Sequence, residues 1–191
     1  MTKRGKWVVG ILLAGSTVFV APVQAAVELV ANGGFETGDF AGWTQTGEAT
    51  FNGVQCPGAG ASVYAGNCSG FFGPVTSSGG IQQIINVGGA GLLWDLSFAF
   101  QADGASPSSF TALFGGQTLV SRSNPAAGGY TLYHFNGVST AANMTLAFNF
   151  LDPAGFLYLD AVSVSAVPEP ATVGLLGAGL ALLSARRRKK A

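Results

Sequence analysis

Residues 92 to 100 read Leu-Leu-Trp-Asp-Leu-Ser-Phe-Ala-Phe, which is the clearest strand pattern of the sequence. Its large apolar side chains recur at positions 92, 94, 96, 98 and 100, while Asp95 and Ser97 fall between them. Because successive side chains of a β-strand point to opposite faces, this period of two predicts a strand with one buried face. The same alternation assigns Trp94 to the core.

Similar patterns predict further strands on both sides of this stretch. Residues 143–151 repeat the alternation, and shorter apolar runs are bounded by Gly, Pro or Asn, which break strands. Eight short strands without a helical period between them predict an all-β fold, a two-sheet jelly-roll sandwich. The other predicted strands are 27–31, 49–54, 81–87, 110–114, 130–135 and 156–165, and the predicted loops are 55–80, 103–109 and 123–129.

The part of the chain that carries these strands is strongly acidic. Arg122 is the only Lys or Arg between residues 26 and 166, against eight Asp and Glu, which gives a formal charge of −7. The whole chain is nevertheless neutral, because its other cations lie in the two ends. A domain of this charge repels nucleic acid and anionic lipid, so nucleic-acid binding is excluded and cations or neutral ligands remain.

The first 25 residues predict a signal peptide. Lys3, Arg4 and Lys6 form a basic start, residues 7–20 are apolar, and Val-Gln-Ala at 23–25 is a small-residue cleavage site. A retained N-terminal anchor is the alternative, but the apolar stretch is short for a membrane span. The sequence therefore predicts export.

The last 25 residues form a second segment in three parts. Residues 171–185 are apolar and uncharged, and as a helix with a rise of ~1.5 Å per residue they would cover ~22 Å of a hydrocarbon core ~30 Å thick. This length is marginal for a permanent anchor, and the cations that follow keep that end in the cytoplasm. A buried core helix, the alternative, would not need the cationic block. Around the run lie the motif Val167, Pro168, Glu169 and Pro170 and the basic stop Arg186, Arg187, Arg188, Lys189 and Lys190.

This order of motif, short transmembrane run and basic cluster resembles the PEP-CTERM sorting signal of Gram-negative bacteria. The resemblance implies that exosortase, a membrane-embedded transpeptidase, removes the tail during export. Its implied partners are exosortase and the secretion machinery, with a transient stay in the inner membrane before the cell surface or extracellular space. The predicted organisation is a signal peptide at 1–25, a β-sandwich domain at 26–166 and a sorting signal with a transmembrane helix at 167–191.

Cys56 and Cys68 are the only cysteines of the chain. An even pair of cysteines in an exported protein predicts a disulfide. Two thiols without a supporting His or Cys cluster argue against a zinc site.

The two ends of the domain carry a second pair of motifs. Asn-Gly-Gly-Phe-Glu at 32–36 is followed by Trp43, and Tyr-Leu-Asp-Ala-Val-Ser-Val stands at 158–164. These segments resemble the first and last strands of galactose-binding-like jelly rolls, the fold of many carbohydrate-binding modules. Many such modules hold a structural calcium ion between these strands, which implies Glu36 and Asp160 as its ligands, although Ala161 replaces an acid that is common there.

The sequence arranges no catalytic group in a recognisable spacing. His134 is the only imidazole, and its predicted strand makes it a residue of the less apolar face rather than a base beside a nucleophile. Eight carboxylates make a glycosidase-like pair geometrically possible, but none has a recognisable spacing. The domain is therefore predicted to be non-enzymatic, with a polysaccharide-acting hydrolase or lyase as the alternative.

Aromatic side chains in loops are the candidate contacts for a ligand. Tyr64, Phe71 and Phe72 fall in the predicted loop 55–80, where packing does not explain an aromatic residue. Aromatic faces of this kind can stack on sugar rings. The sequence thus predicts an exported surface or matrix protein that contacts exopolysaccharide; a purely structural surface protein without a ligand is the other alternative.

We expect the exported protein to lose its tail near residues 168–170, because the apolar run is marginal as an anchor. Mass spectrometry of the extracellular fraction measures this directly. Peptides containing Leu182 or Leu183 in the released protein would contradict the expectation.

Overall fold

The computed structural model describes residues 26–58 and 62–167. The predicted signal peptide and the predicted sorting helix lie outside the described residues. Within the described ranges the chain forms eleven β-strands, and none of its elements is a helix that could cross a membrane. The all-β prediction is confirmed.

The strands are numbered in chain order. They are β1 (Val27–Glu28), β2 (Thr44–Gly47), β3 (Asn52–Gln55), β4 (Ser69–Phe72), β5 (Gly79–Asn86), β6 (Leu93–Ala102), β7 (Ser109–Phe114), β8 (Gln117–Ser123), β9 (Thr131–Val138), β10 (Asn143–Leu151) and β11 (Leu157–Ala166).

Two antiparallel sheets pack face to face, as the predicted sandwich requires. The six-stranded sheet has the order β3-β4-β11-β6-β9, with β1 paired to β11. The five-stranded sheet has the order β2-β5-β10-β7-β8. Strands β8 and β9 are therefore edge strands of opposite sheets, and they follow one another in the chain.

The stretch with the clearest strand pattern forms the interior strand β6, between β11 and β9. Its alternation holds in the structure: Trp94, Leu96 and Phe98 are buried, while Asp95 and Ser97 are only half-buried on the outer face. Strand β10 behaves in the same way in the other sheet. Each sheet therefore presents one apolar face to the other.

Phenylalanine rings from the two sheets meet in pairs across the core. Phe72 of β4 stacks on Phe150 of β10 with ring centroids 3.9 Å apart. Phe100 of β6 stacks on Phe110 of β7 at 4.0 Å. These contacts join interior strands of one sheet to interior strands of the other, so the aromatic pairs set the distance and register between the sheets.

Three strands were not predicted from the sequence. They are β2, β4 and β8, and β4 lies inside the predicted loop 55–80. The prediction that Phe71 and Phe72 belong to a loop was therefore wrong. Strand β4 has only four residues, too few for a visible alternation, and its pairing with β3 and β11 comes from residues far along the chain.

The segment before β2 lies against an irregularity in β11. The register of β11 shifts between Asp160 and Ser163, and Ala161 has a positive φ of 49° there. Val162 N donates to Gly33 O at 2.9 Å, and a side chain on Gly33 would place its Cβ 1.9 Å from Val162 O. Only glycine permits this close approach, which brings the 32–36 segment to Asp160.

We predict that Phe148→Ala lowers the free energy of unfolding by about 3–5 kcal/mol, because Phe148 is fully buried and its loss leaves a cavity between the sheets. Ile84→Ala is the matched control on the neighbouring strand, since Ile84 is 70% exposed. Urea denaturation of both variants measures the difference. Equal stability of the two would contradict the assigned core.

Candidate functional site

A disulfide-closed loop covers part of the outer face of the six-stranded sheet. The disulfide joins Cys56 to Cys68. Tyr64 N and Ala65 N both donate to Asp160 Oδ2, at 2.8 and 3.0 Å, and Asp160 is fully buried. Since Asp160 lies opposite Ala99 of β6 on the outward-facing side of β11, the loop lies directly over the sheet.

Glu36 holds the other end of the same loop. Its Oε1 accepts hydrogen bonds from Asn67 N at 2.8 Å and Cys68 N at 3.1 Å. These backbone donors lower the pKa of Glu36 below its ordinary value of 4.5. We call Glu36 and Asp160 the carboxylate clamp, because together they fasten the loop to the domain.

The clamp residues are the pair for which a calcium ion was predicted. The structure brings them together: a Cβ on Gly34 would lie 3.9 Å from Asp160 Oδ1 and 4.0 Å from Glu36 Oε1. Both oxygens of Asp160 and Oε1 of Glu36 already accept backbone N–H groups, Ala161 N among them. In the described residues no third Asp, Glu, His or Cys completes a group of metal ligands. This donor set fits a loop clamp better than a cation site, and calcium at the clamp stays a prediction.

The two members of the clamp have opposite pKa shifts: burial dominates at Asp160, whereas the N–H groups of Asn67 and Cys68 outweigh burial at Glu36. Burial raises the pKa of Asp160, and the charge of Glu36 adds to the rise, although three backbone N–H groups oppose it. The pKa of Glu36 instead falls. The fold therefore favours the ionised form of Glu36 and disfavours that of Asp160.

The three predicted ligand aromatics have three different environments. Tyr64 is 44% exposed and lies against Tyr130, with ring centroids 5.6 Å apart. Phe71 is half-buried on the outer face and contacts Phe156 edge-on. Phe72 is fully buried in the core, so its proposed contact with a ligand was wrong: its ring packs between the sheets.

A cleft opens where the two sheets part, between the edge strands β8 and β9. Its volume is about 450 Å³, within the range of ligand-binding cavities. Arg122 of β8 and Tyr133 of β9 reach into it from opposite sheets, and the connection 125–129 forms a wall. The full lining is Phe100, Ala102, Arg122, Pro125, Ala126, Ala127, Gly128, Gly129, Thr131 and Tyr133.

Arg122 and Tyr133 form the polar and aromatic core of this cleft. The guanidinium carbon of Arg122 lies 5.8 Å from the centroid of the Tyr133 ring, and Arg122 Nε donates to Tyr133 Oη at 3.4 Å. The Tyr133 ring also stacks on the buried Phe98. In the described ranges the one contact between a basic and an acidic side chain joins His134 to Asp95, so Arg122 has no carboxylate partner there.

Hydrogen bonds from the outer side fix the connection 125–129, which forms the wall of the cleft. Gln101 Nε2 donates to Gly128 O at 2.9 Å, and Tyr130 Oη donates to Ser62 O at 2.9 Å. Burial raises the pKa of Tyr130 to about 12, so its hydroxyl stays a neutral donor. The connection between β8 and β9 therefore lies between the cleft on one side and the Tyr64–Tyr130 pair on the other.

A shallow depression on the outer face carries the single histidine. His134 Nε2 lies 3.2 Å from Asp95 Oδ1, with Ser97 and Ser163 beside them. Among the described residues no hydroxyl is hydrogen-bonded to His134, so these side chains do not form the relay that activates a serine nucleophile.

The cleft residues were not predicted from the sequence as ligand contacts. Arg122 entered only through the charge of the domain, and Tyr133 only as part of the predicted strand 130–135. The available signal was that Arg122 is the sole Lys or Arg of an acidic domain. The distance between β8 and β9, however, follows from the packing of two sheets and is not visible in either strand alone.

Comparisons with known proteins agree with this architecture. Residues 166–189 match the PEP-CTERM protein-sorting motif, which indicates an exported protein processed at the membrane. No curated protein sequence matches the chain. The described domain is similar to TmCBM61, a carbohydrate-binding module solved with β-1,4-galactotriose, with a TM-score of 0.62 and 15% identity over 74% of this chain and 99% of that chain.

Two further modules share the fold. The CBM22-1 xylan-binding domain of Paenibacillus barcinonensis Xyn10C has a TM-score of 0.52 and 16% identity, over 78% of this chain and all of that one (100%). The C-terminal family 22 carbohydrate-binding module of Clostridium thermocellum Xyn10B has a TM-score of 0.52 and 18% identity, over 73% and 98% of the two chains. At this level of identity the likeness shows the fold alone.

The protein therefore belongs, by its described architecture, to the class of jelly-roll β-sandwiches like those of carbohydrate-binding modules. It combines this domain with a PEP-CTERM sorting motif at its C-terminal end. Both resemblances stated from the sequence are confirmed.

We predict opposite pH responses for the two members of the clamp. Because the folded pKa of Glu36 is lowered, its stabilising contribution is complete above about pH 4.5 and is lost as the pH falls; Glu36→Gln should therefore lose less stability on acidification than the wild type. The raised pKa of Asp160 acts in the other direction, so Asp160→Asn should lose more stability on acidification than the wild type.

Melting temperatures of the three proteins between pH 7 and pH 3 measure both responses. Parallel curves for the two variants would contradict the clamp.

Proposed function

We propose that this protein is a non-enzymatic polysaccharide-binding module, which its tail directs to the cell surface or extracellular matrix. The observation that carries the proposal is the cleft between β8 and β9. Tyr133 offers an aromatic ring, Arg122 offers guanidinium donors, and Thr131 offers a hydroxyl within one cavity. Sugar recognition needs this combination of an aromatic surface with a few directed hydrogen bonds.

The ligand that suits this cleft is a sugar of an extracellular polysaccharide. The domain carries a formal charge of −7, which disfavours a polyanion, while Arg122 can donate to hydroxyl and ring oxygens of a neutral chain. The names of the similar modules mention galactotriose and xylan, both neutral glycans. These names support the class of ligand, and the identity of the glycan depends on contacts specific to this chain.

The proposed route uses both ends of the chain. The signal peptide at 1–25 would engage the secretion machinery, and the tail would hold the protein in the inner membrane until exosortase acts on it. The motif match at 166–189 supports the second step. After processing, the protein would reside at the cell surface or in the extracellular matrix.

A hydrolase or lyase acting on polysaccharide is the alternative from another class. A similar fold occurs in the enzymatically active domain of a tailspike protein of bacteriophage CBA120, with a TM-score of 0.55, although only 21% of that chain is covered. A reducing-sugar assay on the exopolysaccharide of the host separates the two classes. Release of reducing ends by the purified protein would overturn the binding-only proposal.

We predict that Arg122→Gln weakens binding to the host exopolysaccharide at least tenfold, which corresponds to ~1.4 kcal/mol. Arg122 is exposed, so this substitution should leave the fold intact. Tyr133→Phe keeps the ring and should bind within a few-fold of the wild type. Affinity electrophoresis of the exported protein gives the comparison.

Tyr64→Ala is the control for the outer face, because Tyr64 lies on the other side of the cleft wall. Binding that depends on Tyr64 and not on Arg122 would move the site to the outer face. If the wild type binds no glycan, the remaining alternative is a purely structural surface protein.

A further inference from the structure

A second pair of carboxylates, Asp103 and Asp152, lies where one strand of each sheet ends. Asp103 follows the last residue of β6, and Asp152 follows the last residue of β10. Asp103 Oδ2 accepts a hydrogen bond from Phe156 N at 2.8 Å, and Oδ1 accepts one from Ala105 N at 2.8 Å. Asp103 therefore joins its own loop to the turn between β10 and β11.

Asp152 is buried and incompletely satisfied. Its side chain is only 1% exposed, and Oδ1 accepts one long hydrogen bond of 3.4 Å from Ala154 N. Oδ2 has no hydrogen-bond partner in the described part of the chain. A buried carboxylate oxygen without a partner is costly, so this atom requires either a shared proton or a group from outside the protein.

The two carboxylates face each other. Burial raises the pKa of Asp152, and the Asp103 carboxyl, which lies within hydrogen-bonding reach, raises it further through its charge. The same two acids contribute to a raised pKa of Tyr158, although burial is the larger cause. The Asp103 carboxylate also lies directly on Gly155, since a Cβ there would come 1.7 Å from Oδ2.

No cation of the described residues neutralises this pair. Arg122, the only Lys or Arg between residues 26 and 166, lies in the cleft with Tyr133. The carboxylate clamp is different, because five backbone N–H groups point at its oxygens. The pair of Asp103 and Asp152 accepts three such hydrogen bonds, and only the long one from Ala154 N reaches Asp152.

A cavity lies beside the buried Asp152 side chain. Asp152 lines this cavity of about 240 Å³ together with Phe51, Val75, Gly155 and Phe156. Three of these neighbours are large apolar side chains that remain partly exposed. Apolar neighbours beside Asp152 lower the local dielectric, which strengthens the attraction between its carboxylate and a cation.

We propose that Asp103 and Asp152 bind a hard divalent cation, calcium. No Lys or Arg of the described residues neutralises the two carboxylates in its place. Both ligands are carboxylate oxygens, the type that calcium prefers. As at the clamp, no third Asp, Glu, His or Cys of the described residues joins them, so water supplies the remaining positions. The ion bridges the loop after β6 to the turn between β10 and β11. It therefore joins two connections, β6–β7 and β10–β11, each of which runs from one sheet to the other. This site is separate from the sugar-binding cleft and does not depend on that function.

The test uses the exported protein, freed of metal with chelator and returned to millimolar calcium. Because an ion that binds only the folded state stabilises it, calcium should raise the melting temperature of the wild type by several degrees (roughly 4–8 °C). Asp103→Asn should abolish the rise, and Asp152→Asn should do the same. Glu36→Gln, at the clamp, should retain it.

A second readout is independent of stability. Terbium binds calcium sites, and aromatic side chains near the ion transfer excitation energy to it, so the wild type should show sensitised terbium emission that calcium displaces. Asp103→Asn should reduce this emission at least tenfold, and Glu36→Gln should not. Because Asp103 is exposed, its substitution tests the site even if Asp152→Asn fails to fold.

Two outcomes would overturn the proposal. A melting temperature indifferent to calcium, together with absent terbium emission, would mean that the two acids share a proton instead. A calcium response that disappears in Glu36→Gln but persists in Asp103→Asn would assign the ion to the clamp. Binding of glycan by the cleft is unaffected by either result.

Discussion

Stacking of phenylalanine rings between the two sheets is the interaction on which the rest of the structure depends. Phe72 on Phe150 and Phe100 on Phe110 each join one sheet to the other at about 4 Å. Rigid rings of this size leave little freedom in the spacing of the sheets, because a core packs at nearly crystalline density. The position of every loop that connects the sheets, including the walls of the cleft, follows from that spacing.

The fold class could be predicted because alternation is a local property. The alternation of strands β6 and β10 is visible within their own ten and nine residues, and both are interior strands of their sheets. Strand β8 was missed although Gly115 and Gly116 stand between β7 and β8, a two-residue connection typical of a hairpin. Strand β4 carried no comparable signal, because partners distant in the chain make it a strand.

The candidate sites show the same division between local and distant information. Glu36 and Asp160 were paired from motifs at the two ends of the domain, and the structure does bring them to one loop. Their saturation by N–H donors could not be read from sequence, since the donors belong to a loop whose path depends on the disulfide. Arg122 and Tyr133 meet only because two edge strands of different sheets approach each other.

An acidic domain with one Arg must stabilise most of its carboxylates without ion pairs. Backbone N–H groups do this for Glu36 and Glu48, and the Thr37 hydroxyl together with Ala41 N does it for Asp39. In each case hydrogen bonds lower the pKa, to about 2 at Glu48. Loops that turn back on a carboxylate therefore replace lysine and arginine as the partners of these acids. Asp152 differs because its own turn offers one long hydrogen bond and the loop after β6 places a second acid, Asp103, beside it, which leaves a buried carboxylate without compensation. Since Arg122 has no carboxylate to neutralise, its guanidinium remains available to a ligand in the cleft.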